Sequence, residues 1–129
     1  MAQKRLNRRI GLVHTQRSTS TKNFVPAGPP ELSGDTKSVL IHLEMENSTG
    51  DVTARPAVRY SDDGDTSWGA AADIGTETLT ANGQLNSTTW NNLPGTPKMH
   101  LQYGANVYNS SGSTLEFCTL AMRVEKRNF

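Results

Sequence analysis

Asp62, Asp63, Gly64 and Asp65 follow one another in the stretch SDDGDTSW, which Trp68 closes. Carboxylates this close together could ligate calcium, carry out acid/base chemistry, or cap a hairpin turn. An EF-hand loop needs acids at positions one, three and five, glycine at six and glutamate at twelve. Counting from Asp63 puts Asp65 at three, but Ser67 at five and Gly69 at seven, so the register fails. A calcium loop of another kind, held by Asp62, Asp63 and Asp65, stays open as the lesser alternative. The turn reading asks for less. Asp-Gly between VRYS and TSW supplies a residue that tolerates positive φ, and the flanking carboxylates bond nearby backbone N–H groups.

The remaining reactive side chains are scattered. His14, His42 and His100 show no metal-ligand spacing, and no phosphate-cradling glycine loop or nucleophile elbow is present. A cupin-like cluster would need His42, Glu44 and His100 to converge across strands, and solvated or capping histidines explain them more simply. Glu44, Glu46, Glu77 and Glu116 are candidate glycosidase acids only in the sense that every acid is. Cys118, the one cysteine, sits in the apolar run LEFCTLAM and reads as a small buried residue. The sequence therefore predicts no catalytic residue, no cofactor and no transition-metal site.

The elements that carry these residues read as strands. SVLIHLEMEN alternates, with Val39, Ile41, Leu43 and Met45 on one side and Leu40, His42, Glu44 and Glu46 on the other. ARPAVRYS sets Val58 and Tyr60 against Ala57 and Arg59. TSWGAAADIG reads as a weak strand. TETLT and QLNSTTW flank Asn82-Gly83, a strong hairpin signal. MHLQYGANVYN places Met99, Leu101, Tyr103, Ala105 and Val107 on one face. TLEFCTLAMRVEKR, apolar on both sides around Phe117 to Met122, predicts a central strand. Six to eight strands with turn signals between them, and no helical stripe, predict an all-β chain: a single antiparallel β-sandwich or jelly-roll-like domain.

Charge divides the chain in two. Residues 1–22 carry Lys4, Arg5, Arg8, Arg9, Arg17 and Lys22 and no acid, while the rest holds seven basic and twelve acidic groups, a balance of −5. Residues 1–37, with Pro26, Pro29 and Pro30, predict an extended basic arm, and residues 38–129 predict the sandwich domain. Arg5, Arg8, Arg9, Ile10, Leu12 and Val13 are the expected partner-binding residues of the arm, because a tail that touches nothing has no use for its apolar members. Nucleic acid is a lesser partner, since the arm lacks interleaved aromatics for base stacking. No apolar stretch is long enough to cross a bilayer as a helix, so no membrane partner is expected.

VRYSDDGDTSW resembles the strand-turn-strand segment x-Y-S-x-D-G-x-x-W. That segment recurs in extracellular jelly-roll modules of the discoidin/galactose-binding type and in bacteriophage virion β-sandwich proteins. The resemblance implies that Trp68 packs against its own hairpin or the core, and no further motif carries a ligand site over. In size, β character and long N-terminal segment the chain is similar to capsid cement and decoration proteins of bacteriophages. That resemblance implies a non-enzymatic virion structural protein, assembled in the host cytoplasm, whose arm grips the major capsid protein or another virion protein. A homo-oligomer is expected as well, because a small core with two-sided strands has apolar surface to cover. A glycan- or receptor-binding module of a phage tail or fibre, working through Trp68 or Trp90, is the alternative, and an enzyme ranks third.

Overall fold

Apolar alternation decides which residues of the long strands turn inward, and in the computed structural model the described residues form ten strands. The structure describes residues 9–15, 23–34, 36–49, 52–76, 78, 84–94, 99–109 and 116–128. The strands are β1 (Arg9–Thr15), β2 (Asn23–Pro26), β3 (Glu31–Leu32), β4 (Thr36–Thr49), β5 (Val52–Ser61), β6 (Ala72–Asp73), β7 (Leu85–Ser87), β8 (Asn91–Asn92), β9 (His100–Asn109) and β10 (Glu116–Asn128). Among the described residues there is no helix. One sheet runs β1-β10-β4-β7, with β8 also on β4; the other runs β2-β9-β5-β6, with β3 also on β9. All pairings are antiparallel.

The two sheets pack face to face, as expected of a β-sandwich. Val39, Ile41, Leu43 and Met45 of β4 and Leu120 and Met122 of β10 meet Ala54 and Val58 of β5 and Leu101, Tyr103, Ala105 and Val107 of β9. Ile74, Leu93 and Ala27 complete this core. Each of the larger side chains contributes about 1.5–3 kcal/mol by leaving water. Tyr103 is the one aromatic residue in this set, so aliphatic packing dominates. Met99, grouped by its spacing with the inner face of β9, is instead 63% exposed. It precedes the first residue of β9.

Pro56 sits within β5 without breaking the sheet. Its carbonyl accepts from Ile74 N–H at 2.8 Å, on the side facing away from β9. In an antiparallel strand a residue's N and C=O point to the same side. The missing N–H is therefore directed at the sheet margin, where β6 is only two residues long.

The segment expected as an arm contributes strands. Val25 and Pro26 of β2 pair with Ala105 and Gly104, and Glu31 and Leu32 of β3 with Leu101 and His100. Ala27 is buried in the core. The second sheet therefore begins before position 38. Gly104 explains how β2 comes so close, since a Cβ there would overlap the Val25 carbonyl oxygen and the Phe24 ring. The Asn82-Gly83 hairpin lies outside the described residues.

Candidate functional site

The loop after β5 is organised by one carboxylate. Asp63 Oδ1 accepts from Ser61 Oγ at 2.8 Å and from the N–H groups of Asp65 at 2.9 Å, Ser67 at 3.2 Å and Thr66 at 3.3 Å. Thr66 Oγ1 donates to Oδ2 at 3.0 Å. These donors, led by the Asp65 N–H and the Ser61 hydroxyl, hold the Asp63 carboxyl well below the usual carboxylate range. Ser61 Oγ in turn accepts from Gly64 N–H at 2.9 Å. Gly64 has a φ of +72°, and a Cβ there would stand 2.9 Å from carbons of the His100 ring. The turn thus has its positive-φ glycine, but it is wider than a two-residue hairpin, because Ser61 bridges to Trp68 across the whole loop.

Among the described residues, no three His, Cys, Asp or Glu side chains converge as a metal ion requires. The Asp63 oxygens already accept from five donors of this chain. Asp63 acts here as the residue that organises the loop.

Trp68 lies on the outer face of the second sheet. Its indole N–H donates to Asp65 O at 3.0 Å. The Arg59 guanidinium stands 4.4 Å from the Trp68 ring centroid and 4.8 Å from that of Phe24, so the cation contacts two aromatic rings. Arg59 also donates twice to Gln102 Oε1, at 2.6 and 2.9 Å, and Gln102 Nε2 donates to Gly28 O at 2.7 Å. Loss of water lowers Arg59 below the ordinary arginine value. On the same face Asn106 Nδ2 donates to Asp73 Oδ1 at 2.7 Å and Arg55 pairs with Asp73 Oδ2 at 3.4 Å. These contacts tie β2, β5, β6, β9 and the Asp63 loop into one layer.

The first sheet carries a different constellation on its outer face. His42 Nδ1 lies 2.6 Å from Ser87 Oγ, and Nε2 lies 2.6 Å from Glu125 Oε2. The register sets this up, because Ser87 is opposite His42 and His42 is opposite Arg123. The His42 contact is the main cause that holds the Glu125 carboxyl below its ordinary value. Arg123 stands 3.9 Å from the same carboxylate oxygen. Further along this sheet, Arg127 covers the Trp90 ring at 3.9 Å from its centroid.

Toward the β3 end of the sandwich, Lys126 pairs with Glu31, and Tyr60 donates to the Pro94 carbonyl. Burial pushes the Tyr60 hydroxyl up to about 12. Burial, with smaller contributions from Glu31 and Tyr60, raises Tyr103 as well.

The expected arm residues divide. Arg5 and Arg8 lie outside the described residues. Arg9, Leu12 and Val13 fall in β1, opposite Ala121, Thr119 and Cys118 of β10, and Ile10 falls at an irregularity between Arg9 and Gly11. Sequence reasoning did not anticipate the contacts of His42 with Ser87 and Glu125, or those of Arg59 with Phe24 and Trp68. Each joins residues 35 or more positions apart, apart from the Arg59–Trp68 contact within one loop. The polar alternation of β4 did place His42 on an outer face. Comparison with protein-family models, with curated proteins and with solved structures finds no match to this chain.

Proposed function

We propose that this chain is a non-enzymatic virion structural protein. In this reading it binds and stabilises a capsid shell as a cement or decoration protein, and its basic N-terminal segment grips a neighbouring subunit. The observation that carries the reading is the distribution of charge along the fold. Six basic residues and no acid occupy positions 1–22. Within them lies β1, the terminal strand of its sheet. A basic segment beginning at a sheet margin supports two kinds of contact with a neighbour: screened electrostatic attraction to an acidic surface and pairing along the side of β1 away from β10. Repeated over a lattice, weak contacts of this kind raise the free energy needed to separate subunits.

The outer faces fit the same reading. Trp68 and Trp90, the residues on which a sugar would stack in a tail-fibre module, each have a guanidinium over the ring. That guanidinium takes up one of the two ring faces on which a sugar would stack.

Deletion of residues 1–8 tests the grip without removing β1. A cut at residue 22 would also strip β1 from β10 and confound binding with stability. In co-sedimentation with shells of the major capsid protein from the same genome, the shortened chain is expected to bind at least about tenfold more weakly. That loss corresponds to about 1.4 kcal/mol. Undiminished binding would refute the role given to the basic segment.

A further inference from the structure

Ser87, His42 and Glu125 come from β7, β4 and β10 and meet on one sheet face, with both hydrogen bonds at 2.6 Å. An ionised carboxylate only accepts hydrogen bonds. The proton joining Nε2 to Glu125 therefore sits on the imidazole. In the neutral ring Nδ1 is then a lone pair, and it accepts the Ser87 hydroxyl proton. Nucleophile, base and orienting acid stand in order, a relation recognised by roles rather than by position in the chain.

Exposure is graded to suit. Ser87 is open to a reagent, whereas the His42 side chain is only 18% exposed and is held from both ring nitrogens. The groups facing the ring are Ser87 from β7 and Glu125 and Arg123 from β10. Glu44 lies two positions along β4 on the same side. The ionised state of Glu125 is favoured by His42 and by Arg123.

We propose that Ser87 is an activated nucleophile that accepts an acyl group from activated carboxylic esters. Ser87 Oγ bonds to the ester carbonyl carbon and its proton passes to His42 Nδ1. The bond from that carbon to the leaving oxygen breaks, the oxygen keeps the electron pair, and the imidazolium returns the proton to it or to water. The product is O-acyl-Ser87, which water can hydrolyse with His42 again as base. Among the described residues the surroundings are open, with Glu125 47% and Arg123 53% exposed. The expected chemistry is a single acylation with slow release. It adds a covalent site to the shell-binding reading and does not depend on it.

The test treats the full chain with p-nitrophenyl acetate and locates the acetyl groups by peptide mass spectrometry. Ser87 is expected to be acetylated about a hundredfold faster than exposed Ser67. His42→Gln should remove that advantage, and Glu125→Gln should reduce it at least about tenfold. The melting curve of each variant checks that it is folded. If one variant does not fold, the other decides. Acetylation of Ser87 no faster than Ser67, or equal rates in the folded variants, would each overturn the proposal.

Discussion

Replacing Thr88 by valine removes one oxygen from a place where the structure uses it twice. Thr88 lies between β7 and β8, beside β4, and is 4% exposed. Its N–H donates to Ile41 O at 2.9 Å, as a strand residue would. The return bond comes from the side chain, where Oγ1 accepts the Ile41 N–H at 2.9 Å and donates to Thr89 O at 2.8 Å. The hydroxyl thus replaces a backbone carbonyl where the strand facing β4 is interrupted. Valine fills almost the same volume. The Thr89 carbonyl keeps a donor, Asn91 Nδ2 at 2.8 Å. Ile41 is 0% exposed, and its N–H loses its acceptor. A buried donor left unpaired costs about 1–3 kcal/mol. In a chain of this size each kcal/mol lowers the melting temperature by roughly 3–6 °C. Thr88→Ser keeps the oxygen and loses one methyl group, so it should cost about 1 kcal/mol. Equilibrium urea unfolding followed by far-UV circular dichroism reads both values, and hydrogen exchange of the Ile41 amide reports the bond itself. Thr88→Val within about 0.5 kcal/mol of the parent, or exchange of the Ile41 amide in Thr88→Val no faster than in Thr88→Ser, would refute the reasoning.

Other changes probe the second sheet. Gly64→Ala should destabilise by at least about 1–2 kcal/mol in urea unfolding, from the positive φ alone, with crowding against His100 added. The Asp63 carboxyl is depressed in the folded state. It therefore contributes stability above its unfolded value of about 4, and that contribution is lost as pH falls through the lower folded value. Asp63→Asn should flatten the decline in stability below about pH 4, while calcium and chelator leave the parent's melting midpoint unchanged, both read by thermal melts. Arg59→Ala should cost about 1 kcal/mol or more and raise the solvent accessibility of Trp68, seen as stronger acrylamide quenching.

The long strands were legible because their inner faces are written locally. Val39, Ile41, Leu43 and Met45 alternate without interruption, and all four are essentially inaccessible to water. Leu101 to Val107 repeat the pattern. β2 and β3 were not legible as sheet strands. NFVP and EL are too short to show a period, and they are recruited by the free side of β9. In the Asp63 loop, Asp-Gly chemistry identified a turn, but not its width, which is set by the donors gathered on one carboxylate. His42 was readable only as a polar residue on a strand. Its partners are 45 and 83 positions away, and only the register of β7 and β10 on β4 brings them together.

Shell binding is the central claim, and charge reversal tests it most directly. Lys4→Glu, Arg5→Glu and Arg8→Glu together alter only residues that precede β1. Co-sedimentation with capsid shells, run at low and high salt, measures the grip. The account predicts saturable binding by the parent chain that weakens with salt and is lost in the triple variant at unchanged melting temperature. Binding that ignores both salt and charge reversal, or no binding of the parent at all, would contradict it.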